Sequence, residues 1–143
     1  MTTFFHRIAI VGVGLIGGSW GLALGKRSLT GTRVGCDRPD VLKRATAAGA
    51  IDESAEDPAQ AVRDADLVVL AAPVGAILDV LPRLRPAVSA AALVTDVGST
   101  KRLICQRARE VFGDQPLFVG GHPLAGKELS GFENADARLF ENA

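Results

Sequence analysis

Short apolar runs alternate with longer amphipathic stretches along the chain of 143 residues. The runs are rich in β-branched residues and are bounded by glycine, proline or aspartate, which is typical of strands buried on both faces of a sheet. We predict strands at 8–13, 32–36, 67–71, 92–95 and 118–119, with a brief strand or loop at 51–54.

The stretches between these runs carry apolar residues at helical spacing, and we predict helices at 15–25, 40–48, 58–65, 74–84 and 100–112. The third has a helix-start signature, since Asp57 can cap it, Pro58 fits its first position and Gln60 follows. In the fourth, we expect Pro82 to kink or shorten the helix. The alternation predicts one α/β domain over 1–143, a Rossmann-type doubly wound, mainly parallel sheet with helices on both faces.

The first predicted strand runs into a glycine-rich turn and then into a helix. Gly12 would let the backbone turn off the strand, Gly14 would let a pyrophosphate approach the main chain, and Gly17 would let the helix pack close to the strand. Leu15 and Ile16 open that helix, whose free N–H groups would face the phosphates. The turn therefore predicts a dinucleotide site.

An acidic residue stands where a dinucleotide site needs one. Asp37 ends the second strand, 20 positions after Gly17, and its carboxylate could accept hydrogen bonds from both ribose hydroxyls of an adenosine. It would repel a 2′-phosphate, which favours NAD as the cofactor, whereas the guanidinium of Arg38 could tolerate NADP. The alternative is a structural turn with a surface aspartate.

The carboxyl ends of parallel strands meet at one edge of a sheet, and ligands bind there. The loops that follow the predicted strands should therefore share one rim. We expect Ala72, Pro73 and Val74 to lie against a nucleotide ribose. The same rim would hold the loops at 96–99 and 121–126.

Composition limits the classes of function. Lysine plus arginine and aspartate plus glutamate each number 16, so the formal net charge is zero and nothing indicates capture of nucleic acid or of an anionic membrane. The apolar runs are too short to span a bilayer, and the first residues show no signal-peptide pattern. Cys36 and Cys105 fit no metal-ligand spacing, so we expect no metal site and two buried thiols in a reducing cytoplasm, with a disulfide as the alternative.

Four segments carry a resemblance to a known family: 11–19 (VGVGLIGGS), 70–74 (LAAPV), 95–101 (TDVGSTK) and 120–135 (GGHPLAGKELSGFENA). In this order they resemble the nucleotide-binding domain of the prephenate/arogenate dehydrogenase family. The first two segments are shared by many dinucleotide enzymes, whereas the last two are more specific.

The resemblance implies an activity and roles for particular residues. The activity is NAD-dependent oxidative decarboxylation of prephenate or arogenate in tyrosine biosynthesis, with hydride transfer to nicotinamide. His122 would assist the substrate hydroxyl as the catalytic group, Ser99 would bond the histidine or the substrate, and Glu128 would stand at the mouth of the substrate pocket. Each has a structural alternative: a histidine in a turn, a helix-capping serine and a solvated loop glutamate. We interpret Lys101 as a solvated lysine.

The resemblance also implies what lies outside this chain. Family members continue with a final strand and a mostly helical domain that supplies dimerisation and a substrate-binding arginine. A homodimer is therefore expected of the full-length protein, and this chain, which ends at Ala143, would lack that domain. Two other functions stay open: another Rossmann dehydrogenase of the hydroxy-acid or pyrroline-carboxylate type, and a nucleotide-binding fragment without turnover.

Overall fold

A computed structural model describes residues 3–143 of the chain. Strands and helices alternate along it, as the hydrophobic pattern predicts. The strands are β1 (Phe5–Val11), β2 (Thr30–Cys36), β3 (Glu53–Ala55), β4 (Leu67–Leu70), β5 (Leu93–Asp96) and β6 (Leu117–Gly120). The helices are α1 (Leu15–Arg27), α2 (Pro39–Ala47), α3 (Pro58–Ala61), α4 (Val74–Leu84) and α5 (Arg102–Phe112), and a 3₁₀ turn covers Phe132–Asn134.

All six strands form one parallel sheet in the order β3-β2-β1-β4-β5-β6. The order runs outward from β1 in both directions, so it reverses between β1 and β4. Val11 pairs with Leu70 at that reversal, and Asp96 pairs with Gly120 near the far edge of the sheet. The predicted doubly wound arrangement is confirmed, and it opens a crevice outside the carboxyl ends of β1 and β4.

The central strands of the sheet are buried on both faces, because their neighbouring residues point into two different cores. Ala9 and Val11 of β1 pack into the core that α3, α4 and α5 cover. Ile8 and Ile10 pack into the core on the opposite face, which α1, α2 and the 3₁₀ turn cover. A strand that is apolar on both sides has no polar positions to alternate with, so it stands out in the sequence as an unbroken apolar run.

The strand boundaries differ from the prediction by one to three residues, most of all in β1, which already begins at Phe5. β1 ends at Val11 rather than at Val13, because Gly12 leaves the extended conformation with φ at 95°. β2 begins at Thr30, earlier than predicted, where it pairs with Phe5 at the start of β1. The prediction missed this start because strand pairing, and not an apolar run, extends β2 there.

The helices also differ at their ends. Asp57 caps α3 as predicted, with its side chain accepting a hydrogen bond from the Ala59 N–H at 3.3 Å, but α3 ends already at Ala61. α4 continues through Pro82, which lies in its last turn, where loss of one backbone donor does not end the helix. α5 begins at Arg102 rather than at 100. No helix within residues 3–143 has the length and hydropathy needed to cross a bilayer.

The segment after β6 folds back over α1. A Cβ on Gly18 would lie 2.6 Å from the phenyl ring of Phe132, so the ring rests directly on the helix backbone. Buried Ser19 accepts a hydrogen bond from the Asp136 N–H at 2.9 Å, across 117 positions of sequence. The two small residues that follow the glycine turn therefore serve to dock the carboxyl-terminal segment.

Candidate functional site

A cleft of about 640 Å³ opens at the carboxyl ends of β1, β2 and β4, where the strand order reverses. Its walls come from the turns after β1, β2 and β3 and from the stretch that leads from β4 into α4. The lining residues are Val11, Gly12, Gly14, Cys36, Asp37, Arg38, Pro39, Glu56, Pro58, Ala71, Ala72, Pro73, Ala76, Asp79, Val80 and Arg83. Open parallel sheets bind their ligands at this position.

Two positions of the turn after β1 require glycine. Gly12 has φ at 95°, and its N–H donates to the Cys36 carbonyl at 2.9 Å, so the turn is fastened to the end of β2. A Cβ on Gly12 would lie 2.6 Å from the Ala71 carbonyl oxygen, and a Cβ on Gly17 would lie 1.9 Å from the Gly12 carbonyl oxygen. Backbone packs against backbone at both places, which leaves no room for a side chain.

The third glycine of the turn faces open space. Gly14 lines the cleft, and a Cβ there would meet no heavy atom within 4 Å. Gly14 is also the N-cap residue of α1, so no side chain caps that helix. The first N–H groups of α1 and the positive end of its dipole are therefore available to an anion in the cleft.

Asp37 holds the glycine turn in place from the end of β2. One carboxylate oxygen accepts a hydrogen bond from the Val13 N–H at 2.7 Å, and the other accepts one from the Arg38 N–H at 2.7 Å. The side chain lies in the cleft wall, half-buried. A carboxylate oxygen has two lone-pair sites, so both oxygens keep acceptor capacity for a ligand hydroxyl.

Most of the predicted cofactor-binding residues meet at this cleft. Leu15 and Ile16 open α1 and Val74 opens α4, beside the cleft and not in its wall, while Gly17 is buried beneath the turn. The predicted residues that line the cleft are Gly12, Gly14, Asp37, Arg38, Ala72 and Pro73.

One wall of the cleft was not predicted from the sequence. Ala76, Asp79, Val80 and Arg83 of α4 line it, and the guanidinium of Arg83 reaches the Asp57 carboxylate at 3.1 Å. These positions recur at helical spacing, so they share one face of α4. That spacing was visible, but only the strand order shows that this face borders the cleft and not solvent.

Cys36 contributes a thiol to the cleft. Burial, together with the nearby charges of Asp37 and Asp57, raises its pKa to about 11. Its sulfur lies 3.7 Å from the Glu56 carbonyl oxygen. Cys36 therefore stays a neutral thiol, and both it and Cys105 are free. Cys36 is buried as predicted, whereas Cys105 is half-buried, so the prediction of a buried thiol is wrong there.

A second polar cluster lies where β5 and β6 end. Asp96, the last residue of β5, is only 1% exposed. One of its carboxylate oxygens accepts a hydrogen bond from the Gly98 N–H at 2.9 Å and forms an ion pair with the ammonium of Lys101. The other accepts a hydrogen bond from the Gly121 N–H at 3.3 Å. Asp96 thus joins the loops that follow two neighbouring strands.

Two interpretations of the loop after β5 are wrong. Lys101 is not a solvated lysine, because it pairs with the buried carboxylate of Asp96. Ser99 does not cap α5, because the helix begins at Arg102, its N-cap residue is Lys101 and no side chain caps it. Asp96 was also given no role from the sequence, although an acidic residue at the end of an apolar strand signals a carboxylate that needs partners.

The residues proposed for chemistry lie outside the wall of the cleft. His122 follows β6 by two positions and is exposed, and Ser99 follows β5 and is exposed too. The shared contacts of Asp96 bring their two loops together. Glu128 lies six positions beyond His122 and is exposed. In the part of the chain that the structure describes, no group of three or more His, Cys, Asp or Glu side chains could hold a metal ion.

The fold and the cleft together define a nucleotide-binding domain of the Rossmann type. Four features distinguish it: the strand order, the glycine turn with its positive φ, the uncapped start of α1 and the acid at the end of β2. Residues 20–143 match the family model described as prephenate dehydrogenase, nucleotide-binding domain. The chain therefore belongs to the prephenate dehydrogenase family and carries its nucleotide-binding domain.

Relatives of known name agree with this assignment. The chain is 40% identical over 148 residues to a prephenate dehydrogenase of Bacillus subtilis, covering 100% of this chain and 39% of that protein. It superposes with a TM-score of 0.88 and 32% identity on the prephenate dehydrogenase of A. aeolicus in complex with hydroxyphenyl propionate and NAD+, covering 99% of this chain and 49% of that one. For Synechocystis arogenate dehydrogenase the TM-score is 0.86 at 33% identity, covering 96% and 48%. The chain thus spans less than half the length of these relatives.

Proposed function

We propose that this chain is the NAD-binding part of an enzyme that oxidatively decarboxylates prephenate or arogenate. The observation that carries the proposal is the cleft at the strand-order reversal, with its open glycine turn and the Asp37 carboxylate, in a chain of this family. A relative with the same fold is described with NAD+ bound. NADP fits less well, because a 2′-phosphate would meet the negative charge of Asp37.

The residues of the cleft suit a dinucleotide in charge and in shape. The turn at Gly12 and Gly14 and the N–H groups of α1 would hold the pyrophosphate, which needs donors and close access to the backbone. The remaining lone pairs of Asp37 would accept hydrogen bonds from the adenosine ribose. Ala72 and Pro73 would pack against the nucleotide through backbone and apolar contacts.

His122 is the residue that we propose for proton transfer. Imidazole takes up and releases protons near neutral pH, and this ring is exposed at the rim of the sheet. β6 lies three strand spacings from β1, which is about 14 Å at roughly 4.8 Å per spacing. An extended dinucleotide whose pyrophosphate lies at the turn after β1 would thus reach toward the loop that carries His122.

The reaction would balance as follows. Bound NAD would supply the hydride acceptor for the hydrogen on the carbon that carries the substrate hydroxyl. His122 would take the hydroxyl proton as that carbon becomes a carbonyl carbon. The ring carboxylate would leave as carbon dioxide, and its bonding electrons would pass through the ring to the carbonyl oxygen. The ring thereby becomes aromatic, and the oxygen takes back a proton to give a phenol. Ser99 would orient the histidine or the substrate, and Glu128 would stand at the entrance to the substrate site.

Turnover by the complete natural polypeptide that contains this sequence tests the proposal. NADH formation would be followed with prephenate and with arogenate, each with NAD and with NADP. We expect His122→Asn to lower kcat by about 10²- to 10⁴-fold while the Kd for NAD stays within twofold. His6→Asn is the matched control, because His6 is exposed at the start of β1, far from the rim.

The outcomes separate the competing functions. Retained turnover in His122→Asn would reassign the proton acceptor. NAD binding without turnover of either substrate would leave a nucleotide-binding module. Turnover with both substrates would show that the enzyme does not distinguish the side chains of prephenate and arogenate. In the complete protein we also expect a homodimer, as a size measurement would show.

A further inference from the structure

We propose that Asp96, neutralised by Lys101, is a positioning residue for His122. Its buried carboxylate holds the loop that carries the histidine against the end of β5. The inference rests on the proposed function, because it concerns the group that accepts the substrate proton. Asp96 itself would touch neither substrate nor cofactor.

The regular strand pairing ends just before the histidine. The ladder between β5 and β6 closes at the pair of Asp96 and Gly120. Beyond that pair, the N–H of Gly121 donates to the Asp96 side chain at 3.3 Å. The carboxylate therefore continues the ladder by one residue, and His122 comes next in the chain.

The two loops also touch through their backbones. A Cβ on Gly121 would lie 2.8 Å from the Asp96 carbonyl oxygen. Just before it, the hydroxyl of Thr95 donates to the Val119 carbonyl at 2.6 Å. The backbone that leads into His122 thus lies directly on the end of β5. A change at Asp96 would therefore shift Gly121, the residue just before His122.

The electrostatics argue for a positional role. The Asp96 side chain has no exposed surface, whereas that of Lys101 is 34% exposed. Burying a carboxylate is unfavourable unless it is paired and hydrogen-bonded, and an apolar residue at the end of β5 would stabilise the fold at least as well. The carboxylate instead fixes the relative positions of its partners, because Gly98, Lys101 and Gly121 all bond to this one side chain.

The first test compares variants of the complete natural polypeptide. We expect Asp96→Asn to lower kcat about 30-fold, because a misplacement of about 1 Å at a reacting group costs up to 10²-fold. Rates would be normalised to the number of NAD-binding sites, and the Kd for NAD should stay within twofold. Lys101→Met should lower kcat by about as much as Asp96→Asn. Lys101→Arg should keep most of the activity, because it preserves the ion pair.

A matched control removes a carboxylate elsewhere. Asp52 pairs with the buried Arg33 at 2.9 Å and lies just before β3, on the far side of the sheet. Asp52→Asn breaks an ion pair without touching the ends of β5 and β6, so kcat per NAD-binding site should stay unchanged. An equal loss in Asp52→Asn and Asp96→Asn would show that both act through general stability and would overturn the inference.

The second test asks whether Asp96 acts through the histidine. In the His122→Asn background, Asp96→Asn should lower kcat less than twofold, because the group that it positions is gone. A full additional loss there would overturn the inference and leave the proposed function standing. If the unmutated protein forms no NADH from either substrate, the proposed function fails instead. In that case the NMR signals of the ¹³C-labelled His122 ring test the inference. They should change in Asp96→Asn and stay unchanged in Asp52→Asn.

Discussion

Two aspartates stand at the carboxyl ends of β2 and β5, in opposite halves of the same sheet, and make similar contacts in different surroundings. Asp37 directly follows β2 and accepts a hydrogen bond from Val13, in the turn after the adjacent β1. Asp96 ends β5 and accepts one from Gly121, in the loop after the adjacent β6. Asp37 is half-buried in the wall of the cleft, whereas Asp96 is 1% exposed and paired with Lys101.

Exposure therefore decides what a strand-end carboxylate can do. Asp37 fastens a turn and still presents free lone pairs to the cleft, so it can serve a ligand. Asp96 has its contacts inside the protein, so it can only set geometry. One motif, an acid that bonds the backbone after the adjacent strand, thus leaves acceptor capacity open to the cleft in one half of the sheet and is enclosed by the protein in the other.

The largest expected effect concerns the turn that Asp37 holds. Gly17→Ala should destabilise the protein by at least about 3 kcal/mol, because the new Cβ would overlap the Gly12 carbonyl oxygen and the clash is with backbone. Urea denaturation measures this loss. Gly14→Ala is the control: its Cβ meets open space, so stability should change by less than about 1 kcal/mol while NAD binds more weakly. Equal stability of the two variants would contradict the close packing of α1.

Substitution of the two aspartates should lower the stability of the protein by different amounts. Asp96→Asn should cost about 2 kcal/mol, since it leaves the Lys101 ammonium without its buried partner, although partial exposure of that lysine limits the loss. Asp37→Asn should cost less than about 1 kcal/mol, because the side chain is half-buried and the amide keeps one acceptor. Chemical denaturation of both variants at neutral pH makes the comparison. A larger loss for Asp37→Asn would reverse our interpretation of the two sites.

Ligand affinity should show the opposite order. Asp37→Ala should weaken NAD about tenfold, which is about 1.4 kcal/mol, because the ribose hydroxyls lose their acceptor. NADP should change less, since removal of the negative charge also relieves repulsion of the 2′-phosphate. Isothermal titration with both nucleotides measures the ratio, and Glu110→Ala, on the exposed face of α5, is the control. An unchanged ratio would remove Asp37 from the ribose site.

The smallest effect concerns the two thiols, one in each half of the molecule. Cys36 has a pKa raised to about 11, so it should resist iodoacetamide at pH 8, where almost no thiolate forms. Cys105 is partly exposed on α5 and should react first. Mass spectrometry after brief labelling identifies the modified residue, and labelling in urea, where both should react, shows that the reagent suffices. Faster labelling of Cys36 would mean that the cleft end of β2 is more open than the structure shows.

Local pattern was enough for the fold and for the glycine turn of the cleft. Doubly buried strands are visible because both faces of the sheet are covered, so their residues form unbroken apolar runs. Gly12, Gly17 and Asp37 were identified because a turn between a strand and a helix imposes its requirements over a short stretch of sequence. The errors at element ends, such as the start of β2 and of α5, arose where pairing or loop contacts decide the boundary.

By itself, then, the sequence determined the alternation of strands and helices, the parallel sheet and the glycine turn with its acid, since each depends on neighbouring residues. Only the tertiary structure decided the partners of Asp96 and Ser19, which bond residues 25 and 117 positions away, and the face of α4 that borders the cleft. No spacing rule encodes such contacts, because the strand order, and not the distance along the chain, brings them together. Lys101 lies only five positions from Asp96, but it resembled a solvated lysine because the burial of that carboxylate depends on the packing around β5.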